Sequence, residues 1–203
     1  MAGKPLICWS HIAATKSEFT DRVILSTDDN AIAEIAKAHS IETPFRRPSE
    51  LATAEASSVD MLVHAVESCP GYDIVMLLQP TSPLRSSSDI DAAIELMIRS
   101  NARSCVSVCE VKESPHLMYF QSEDTRISPV IDLPQASVRR QDLPKAYRLN
   151  GAIYVTHTKD LLRDRQIFGS DTVAYTMPCH TSVDIDDIDD FQLAETRLKQ
   201  ITG

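Results

Sequence analysis

Residues 74–85 read IVMLLQPTSPLR and join an apolar run to a polar end that contains two prolines. A nearly continuous apolar run is typical of a strand buried on both faces, as in a parallel sheet. In open α/β sheets, ligands bind outside the carboxyl ends of the strands. We therefore predict a core strand whose end forms the floor of a site, where Pro80 and Pro83 fix the backbone and Gln79 offers an amide.

Strand and helix patterns alternate outward from this stretch in both directions. This alternation predicts one domain over residues 1–203 with an α/β fold, in which three layers surround a mostly parallel, doubly wound sheet. The predicted strands lie at residues 23–25, 41–45, 73–78, 104–111, 172–178 and 181–187 and at the start of 148–162, and the predicted helices at 4–17, 31–40, 57–69, 86–100 and 187–201.

The charge and cysteine content exclude several functional classes. A net charge of −9 disfavours nucleic-acid polymers, which need a basic face, and no apolar run approaches the roughly 18 residues of a membrane span. The five cysteines include no CxxC pair and no export signal precedes them, which predicts reduced thiols in a cytoplasmic protein. Cys105 and Cys109 are better interpreted as buried structural thiols than as a metal pair.

An acidic pair near the C-terminus is a candidate metal site. Asp184 and Asp186 alternate in SVDIDD, so a strand would project both carboxylates to one face. Two such carboxylates suit a Mg²⁺ ion that takes its other ligands from water and a substrate phosphate. The alternative, left open by the residues alone, is a solvated acidic turn before a helix. For the STDD run at 26–29, a helix-capping role is favoured over a ligand-binding role.

Four strings together carry a resemblance to a known family: LLQPTSPLR, RRQDLPKAYRLNGAIYV, RPSELAT and SVDID. They closely resemble the acylneuraminate cytidylyltransferases, or CMP-sialic acid synthetases, whose relatives activate legionaminic and pseudaminic acids. The resemblance implies a sheet of the nucleotide-diphospho-sugar transferase type. It also implies that the anomeric hydroxyl of an acidic nine-carbon sugar attacks the α-phosphorus of CTP, giving CMP-sugar and pyrophosphate.

The resemblance also implies roles for individual residues. Asp184 and Asp186 would hold Mg²⁺, while the acyl-sugar pocket would be lined by Gln79, Arg140, Asn150 and Tyr154, and cytidine would be contacted by Arg47, Ala56 and Ser58. The residues alone slightly favour core packing for Tyr154, and leave Ser57 or Ser58 as a helix cap. The segment at about 115–170 resembles the family's dimerisation insert, which implies a homodimer.

One part of the family pattern is absent from these residues. The family begins with a strand and a glycine-rich phosphate loop, whereas this chain starts at MAGKPLI and holds only 5 glycines, with no such loop. We expect the first strand of the sheet to be missing, with strand edges left unpaired, and the chain as given to be weakly active or inactive. A late gene start is favoured over a trimmed chain or a non-catalytic sugar-binding or oligomerising remnant.

Overall fold

The structure, a computed structural model, describes residues 1–53, 55–131, 139 and 142–202. Its helices are α1 (Leu6–Thr15), α2 (Asn30–Ala38), α3 (Ser58–Ser68), α4 (Ser87–Arg99), α5 (Thr158–Asp164) and α6 (Ile188–Thr202). Its strands are β1 (Ile74–Leu77), β2 (Ser104–Glu110), β3 (Tyr119–Gln121), β4 (Ile127–Pro129), β5 (Tyr147–His157) and β6 (Thr172–Thr176).

The main sheet has the strand order β1-β5-β2-β6. Strand β5 is antiparallel to both β1 and β2, whereas β2 and β6 are parallel. Three of the four strands, β1, β2 and β6, therefore share one direction, and their carboxyl ends meet at one edge of the sheet. The predicted α/β class is confirmed, and the antiparallel course of β5 is a detail that its sequence did not indicate.

Helices cover both faces of this sheet, as predicted for three layers. On one face, Ile74 and Met76 of β1 pack with a cluster that includes Ala14 of α1 and Ile90 of α4. On the other face, Val75 and Leu77 pack with a cluster that joins α3 and α5. This alternation follows from the two-residue period of a strand, so an all-apolar strand contributes to two cores at once.

Strand β1 is less buried than its sequence predicts. All four of its residues are only half-buried, whereas six of the seven residues of β2 are buried. The cause is the edge position of β1, because its faces are covered while one of its sides has no neighbouring strand in the described part of the chain. That a missing first strand leaves this edge free stays a prediction.

Three predicted strands are wrong or incomplete. Segments 23–25 and 41–45 form only an isolated parallel bridge between Ile24 and Glu42, because a strand needs a continued ladder and theirs stops after one pair. Segment 181–187 is not a strand either: a single 3-10 turn ends at Thr181 and irregular chain leads to α6. The Asp187 carboxylate accepts hydrogen bonds from the first turn of α6, which favours the helix over an extended strand.

A hairpin of β3 and β4 forms a separate two-stranded sheet. All of its strand residues are exposed, including Tyr119, Phe120 and Ile127. That it belongs to a dimerisation insert stays a prediction. None of the helices among the described residues is both long enough and apolar enough to cross a lipid bilayer.

Candidate functional site

The predicted site residues Gln79 and Asp184 converge on one glycine, Gly151. A Cβ atom at Gly151 would lie 2.5 Å from Gln79 Oε1 and 3.2 Å from Asp184 Oδ2. The Ser82 hydroxyl would lie 2.8 Å from the same atom. Gly151 also has a φ of +72°, a conformation that L side chains rarely adopt. The glycine therefore allows an amide, a hydroxyl and a carboxylate to meet at the carboxyl end of β1.

Asn150 supports this meeting point from the interior. It is fully buried, and its Oδ1 accepts hydrogen bonds from Ser107 Oγ at 2.6 Å and from the Ala152 amide at 3.3 Å. Its Nδ2 donates to Ser182 Oγ at 2.9 Å and to the sulfur of Met177 at 3.3 Å. Because the amide is fully engaged within the protein, Asn150 fixes the backbone that carries Gly151. The sugar contact predicted for it remains a prediction.

Ser82 and Arg85 hold the loop after β1 in place. The Ser82 hydroxyl donates to the Asn150 carbonyl at 2.9 Å and lies 3.5 Å from Asp184 Oδ1. Arg85 is 4% exposed, and its guanidinium donates to Ser10 Oγ at 2.6 Å and to the Gln79 carbonyl. Burial lowers the pKa of Arg85 to about 10, against the opposing effects of the Asp184 and Asp89 charges. A buried cation thus anchors the backbone of Gln79.

Asp184 and Asp186 do not lie on a strand, but the Asp184 carboxylate lies in the candidate site beside Gly151. Asp184 is half-buried, and the neighbouring Ile185 amide donates to the Thr81 carbonyl at 2.8 Å. Asp186 is exposed, and its amide donates to Asp190 Oδ2 at 3.2 Å. Within the described ranges, neither carboxylate forms a salt bridge. Carboxylate oxygens free of cationic partners are the ligands that Mg²⁺ prefers, so the donor chemistry fits that ion.

Arg47 and Ser58 lie together on a second part of the site. Both line a large cavity that also reaches Gln79. Arg47 Nη2 contacts Asp28 Oδ1 at 3.2 Å, and this hydrogen bond is the main cause of the lowered pKa of Asp28. The capping role goes to Ser57, whose hydroxyl accepts from the Val59 amide at 3.1 Å, so Ser58 is not needed as a cap. Ala56 is half-buried and does not line this cavity.

Tyr154 lies beside the carboxyl end of β1, opposite Leu77 in the ladder. Its ring stacks on Phe168 with centroids 6.3 Å apart and packs against the α3–α5 cluster. Burial, and secondarily the charge of Asp184, raise the pKa of the Tyr154 hydroxyl. The tyrosine is thus both a core residue and a neighbour of the acidic site.

Three arginines, Arg139, Arg140 and Arg148, lie in the string RRQDLPKAYRLNGAIYV. Arg140 lies outside the described residues, so its predicted contact with a sugar carboxylate stays a prediction. Arg139 is exposed, and Arg148 donates from Nη2 to the Ser182 carbonyl at 3.1 Å. Of the STDD run, Asp29 caps α2 as favoured, accepting from the Ala31 and Ile32 amides at 2.6 and 3.0 Å.

Sequence reasoning missed four residues of this site: Asp28, Ser82, Arg85 and Gly151. Ser82 and Arg85 lie in the string LLQPTSPLR, where their polar character after a buried strand was a usable signal. Gly151 was a usable signal as well, because a glycine inside a strand often marks a close approach of neighbouring groups. The pairing of Asp28 with Arg47 joins residues 19 apart and had no local signal.

Comparison with known proteins gives consistent matches over nearly the whole chain. A profile described as Cytidylyltransferase matches residues 1–197. The N-acylneuraminate cytidylyltransferase of Escherichia coli O18:K1:H7 is 34% identical over 193 residues, which cover 95% of this chain and 46% of that protein. The chain thus spans about half the length of that relative. The pseudaminic acid cytidylyltransferase of Campylobacter jejuni serotype O:2 is 30% identical, over 97% of this chain and 86% of that protein.

Solved structures show the same fold at low sequence identity. A CMP:2-keto-3-deoxy-manno-octonic acid synthetase complexed with CTP superposes with a TM-score of 0.72 at 13% identity, covering 99% of this chain and 89% of that one. The 4-diphosphocytidyl-2C-methyl-D-erythritol synthase of Anaerococcus prevotii superposes with a TM-score of 0.66 at 11% identity, over 98% and 88% of the two chains. With a family profile that matches residues 1–197, the chain belongs to the cytidylyltransferase family.

Proposed function

We propose that this chain transfers CMP from CTP to the anomeric hydroxyl of a nonulosonic acid and releases pyrophosphate. The observation that carries the proposal is the convergence of the Gln79 amide and the Asp184 carboxylate beside Gly151, at the carboxyl end of β1. Relatives named for N-acylneuraminate and pseudaminic acid transfer support the substrate class. The test of the proposal therefore uses several nonulosonic acids.

The acidic pair supplies the electrostatic part of the proposed reaction. Asp184 and Asp186 would hold Mg²⁺, which when bound polarises the α-phosphate of CTP and offsets its negative charge. The protein supports this role through Ser82, whose hydroxyl lies 3.5 Å from Asp184 Oδ1 and restricts that carboxylate. Arg85 adds a buried positive charge that interacts with the charge of Asp184 through space.

The side-chain amide of Gln79 would orient the sugar. Its backbone is anchored by Arg85, and its side chain packs against the Gly151 backbone, so few rotamers are open to it. A held amide can donate to one sugar oxygen and accept from another, and such positioning accounts for much of the catalysis in phosphoryl transfer. Tyr154, next to this amide on β5, would close the sugar side of the site, and Arg140 would pair with the sugar carboxylate.

Arg47 and Ser58 would contact the cytidine. Both line the same cavity as Gln79, so the base and the sugar would lie on two sides of one strand end. Asp28 holds one end of the Arg47 guanidinium, while its Nε is buried without a partner among the described residues. An arginine with one donor engaged and another unused is suited to hydrogen-bond an acceptor on the base or ribose.

We also propose that the chain acts as a homodimer through the hairpin of β3 and β4. The exposed fractions of Phe120 and Ile127 are both 63%, and those of Tyr119 and Leu117 are close to half. Exposed apolar side chains grouped on one hairpin are typical of a protein interface.

The five cysteines are all free thiols, which supports the proposed location in a reducing cytoplasm.

A stoichiometric assay tests the transfer directly. The protein is mixed with equimolar CTP, excess Mg²⁺ and, in turn, N-acetylneuraminic, legionaminic and pseudaminic acid, and the products are followed by mass spectrometry. We expect a CMP-linked acid to form with at least one sugar.

Two variants decide whether the product comes from the proposed site. Asp184→Asn should abolish the product, because it removes a metal ligand, while Asp189→Asn, an exposed neighbour in the first turn of α6, should leave it unchanged. Absence of any CMP-linked acid at stoichiometric protein, or equal product from the Asp184→Asn variant, would contradict the proposal.

A further inference from the structure

Asn150 of β5 and Ser182, which lies two residues before Asp184, form a buried hydrogen-bonded pair. The exposed fractions of the two residues are 0% and 1%. Asn150 Nδ2 donates to Ser182 Oγ at 2.9 Å, although the residues lie 32 positions apart in the sequence. The pair therefore connects a strand of the core to the segment that carries the proposed metal ligand Asp184.

The orientation of the Asn150 amide is set by its neighbours. The backbone N–H of Ala152 can only donate, so the atom that it contacts at 3.3 Å is the oxygen, Oδ1. The nitrogen, Nδ2, consequently contacts Ser182 Oγ and, at 3.3 Å, the sulfur of Met177. Ser107 Oγ is a second donor to Oδ1, so all four hydrogen-bonding positions of the amide are used. A sugar hydroxyl could bind this amide only by displacing one of these partners.

Ser182 is held at both its side chain and its main chain. Its hydroxyl accepts from Asn150 and donates to the Pro178 carbonyl at 2.9 Å. Its own carbonyl accepts from Arg148 Nη2 at 3.1 Å. The backbone therefore has a fixed position two residues before the Asp184 carboxylate, and the Asn150 amide is one of the groups that fix it.

The two residues that flank Asp184 are held on the opposite side. Val183 is 8% exposed and belongs to an apolar cluster with residues of α6, and Ile185 packs against the same cluster. The Ile185 amide also donates to the Thr81 carbonyl at 2.8 Å. With its neighbours held in this way, Asp184 faces the candidate site, where its Oδ2 would lie 3.2 Å from a Cβ atom at Gly151. The direction of this carboxylate thus depends on the backbone that Ser182 fixes.

We propose that Asn150 is a positioning residue for the metal ion, which acts through Ser182 on the direction of the Asp184 carboxylate and does not contact the sugar. The inference rests on the proposed function, because it takes Asp184 as a ligand of Mg²⁺. This ion demands near-ideal octahedral geometry, so a misdirected carboxylate binds it less well. Removal of the outer partners that orient a metal ligand typically costs about 10–100-fold in metal affinity.

Ser182→Ala tests the proposal, because it removes the acceptor of the Asn150 amide and leaves both Asn150 and the carboxylate in place. The matched control is Ser104→Ala: Ser104 is 3% exposed, and its hydroxyl forms a hydrogen bond of 2.7 Å with Thr172 Oγ1 at the start of β2, away from the site. Mn²⁺ alone is titrated into each protein, and the free ion is followed by electron paramagnetic resonance. Asp184→Asn defines the part of the binding that belongs to the site.

We expect Ser182→Ala to bind Mn²⁺ about tenfold more weakly than the wild type, and Ser104→Ala to bind it equally well. In the metal-free proteins, the Ile185 amide should exchange with solvent faster in Ser182→Ala than in the wild type or in Ser104→Ala. In the transfer assay, Ser182→Ala should need about tenfold more Mg²⁺ for half of its maximal rate, while the KM for the sugar at saturating Mg²⁺ stays within about twofold of the wild-type value.

Asn150→Ala separates the proposed role from a sugar contact. It should weaken Mn²⁺ binding at least as much as Ser182→Ala and leave the KM for the sugar unchanged at saturating Mg²⁺. Where Asn150→Ala fails to fold, Ser182→Ala alone decides. A raised KM for the sugar in Asn150→Ala, with an unchanged KM in Ser182→Ala, would overturn the proposal.

The Mn²⁺ titration also distinguishes failure of this proposal from failure of the proposed function. Equal Mn²⁺ binding by Ser182→Ala and the wild type, together with weaker binding by Asp184→Asn, would overturn the positioning role and leave the proposed function standing. Mn²⁺ binding that Asp184→Asn does not weaken would contradict both.

Discussion

Strands β1 and β2 run in the same direction and both pair with β5, yet their surroundings differ. Strand β2 has a second neighbour, β6, and is buried along six of its seven residues. Strand β1 has β5 alone among the described residues and is half-buried throughout. The difference teaches that apolar composition decides which faces a strand buries, while the number of neighbours decides how completely it is buried.

The hydrogen bonding of buried hydroxyl groups also differs between the β2 side and the β1 side of the sheet. Next to β2, the buried hydroxyls of Ser104 and Ser107 are satisfied by Thr172 and Asn150. Next to β1, Ser26 and Thr158 have buried hydroxyl groups without partners among the described residues. The polar groups of the β2 side are therefore paired within the protein, whereas the β1 side borders a cavity that holds unpaired polar groups.

The largest effect is expected at the glycine where the two regions meet. Gly151→Ala should reduce CMP transfer by about 10²-fold, because the new Cβ would displace Gln79 Oε1 from a position 2.5 Å away. The positive φ adds about 1–2 kcal/mol of strain to folding. The measurements are the single-turnover rate and urea denaturation.

A second glycine provides the control. Gly3 has a φ of +74°, but no atom lies within 4 Å of the position that a Cβ would take there, so Gly3→Ala carries the same strain without the displacement. Equal loss of activity in the two variants would show that backbone strain, and not the crowding around Gly151, limits the site.

Removal of a buried polar side chain should affect the free energy of unfolding differently on the β2 side and on the β1 side of the sheet. Asn150→Ala removes four hydrogen bonds in a fully buried network and should lower the free energy of unfolding by about 2–4 kcal/mol. Ser26→Ala removes a hydroxyl that has no partner among the described residues and should be neutral or slightly stabilising. Urea denaturation measures both, and a destabilising Ser26→Ala substitution would contradict the open character of the β1 side.

Matched valine substitutions compare the strands themselves. Val106→Ala in β2, where the side chain is 6% exposed, should lower the free energy of unfolding by about 2 kcal/mol. Val75→Ala in half-buried β1 should cost less than about 1 kcal/mol, because little contact is lost beside an open cavity. Similar costs for the two substitutions, measured by the same denaturation, would mean that the free edge of β1 is covered in solution.

An effect of pH is expected on the stability of β2 in alkaline solution. Burial raises the pKa of the Cys105 thiol to about 11, above its ordinary value near 9. Between these pH values the unfolded thiol loses its proton while the folded one keeps it, so stability falls as the pH rises, by at most about 1.4 kcal/mol per pH unit. Denaturation at pH values from about 8 to about 10.5 should show a steeper decline for the wild type than for Cys105→Ala. Parallel declines would exclude this thiol as the cause.

The fold class could be predicted from the sequence because it depends on local patterns, whereas the position of the site stays a prediction. The apolar run of β1 followed by Gln79 was enough to predict a core strand and to motivate a site at its end. The antiparallel course of β5 and the pairing of Asp28 with Arg47 depend on long-range contacts with no local signal. The predicted strand at 181–187 failed because alternating aspartates describe equally well a loop whose last carboxylate caps a helix.

Diffraction from a crystal grown with CTP and Mn²⁺ in place of Mg²⁺ tests most directly whether the metal ion binds at the carboxyl end of β1. The anomalous signal of manganese locates the ion without reference to any assumed role. We predict a single peak at coordination distance from Asp184, on the Gln79 side of Gly151, with the α-phosphate of CTP as a further ligand. A peak elsewhere, such as the exposed turn at Asp189, with none beside Asp184, would contradict the account.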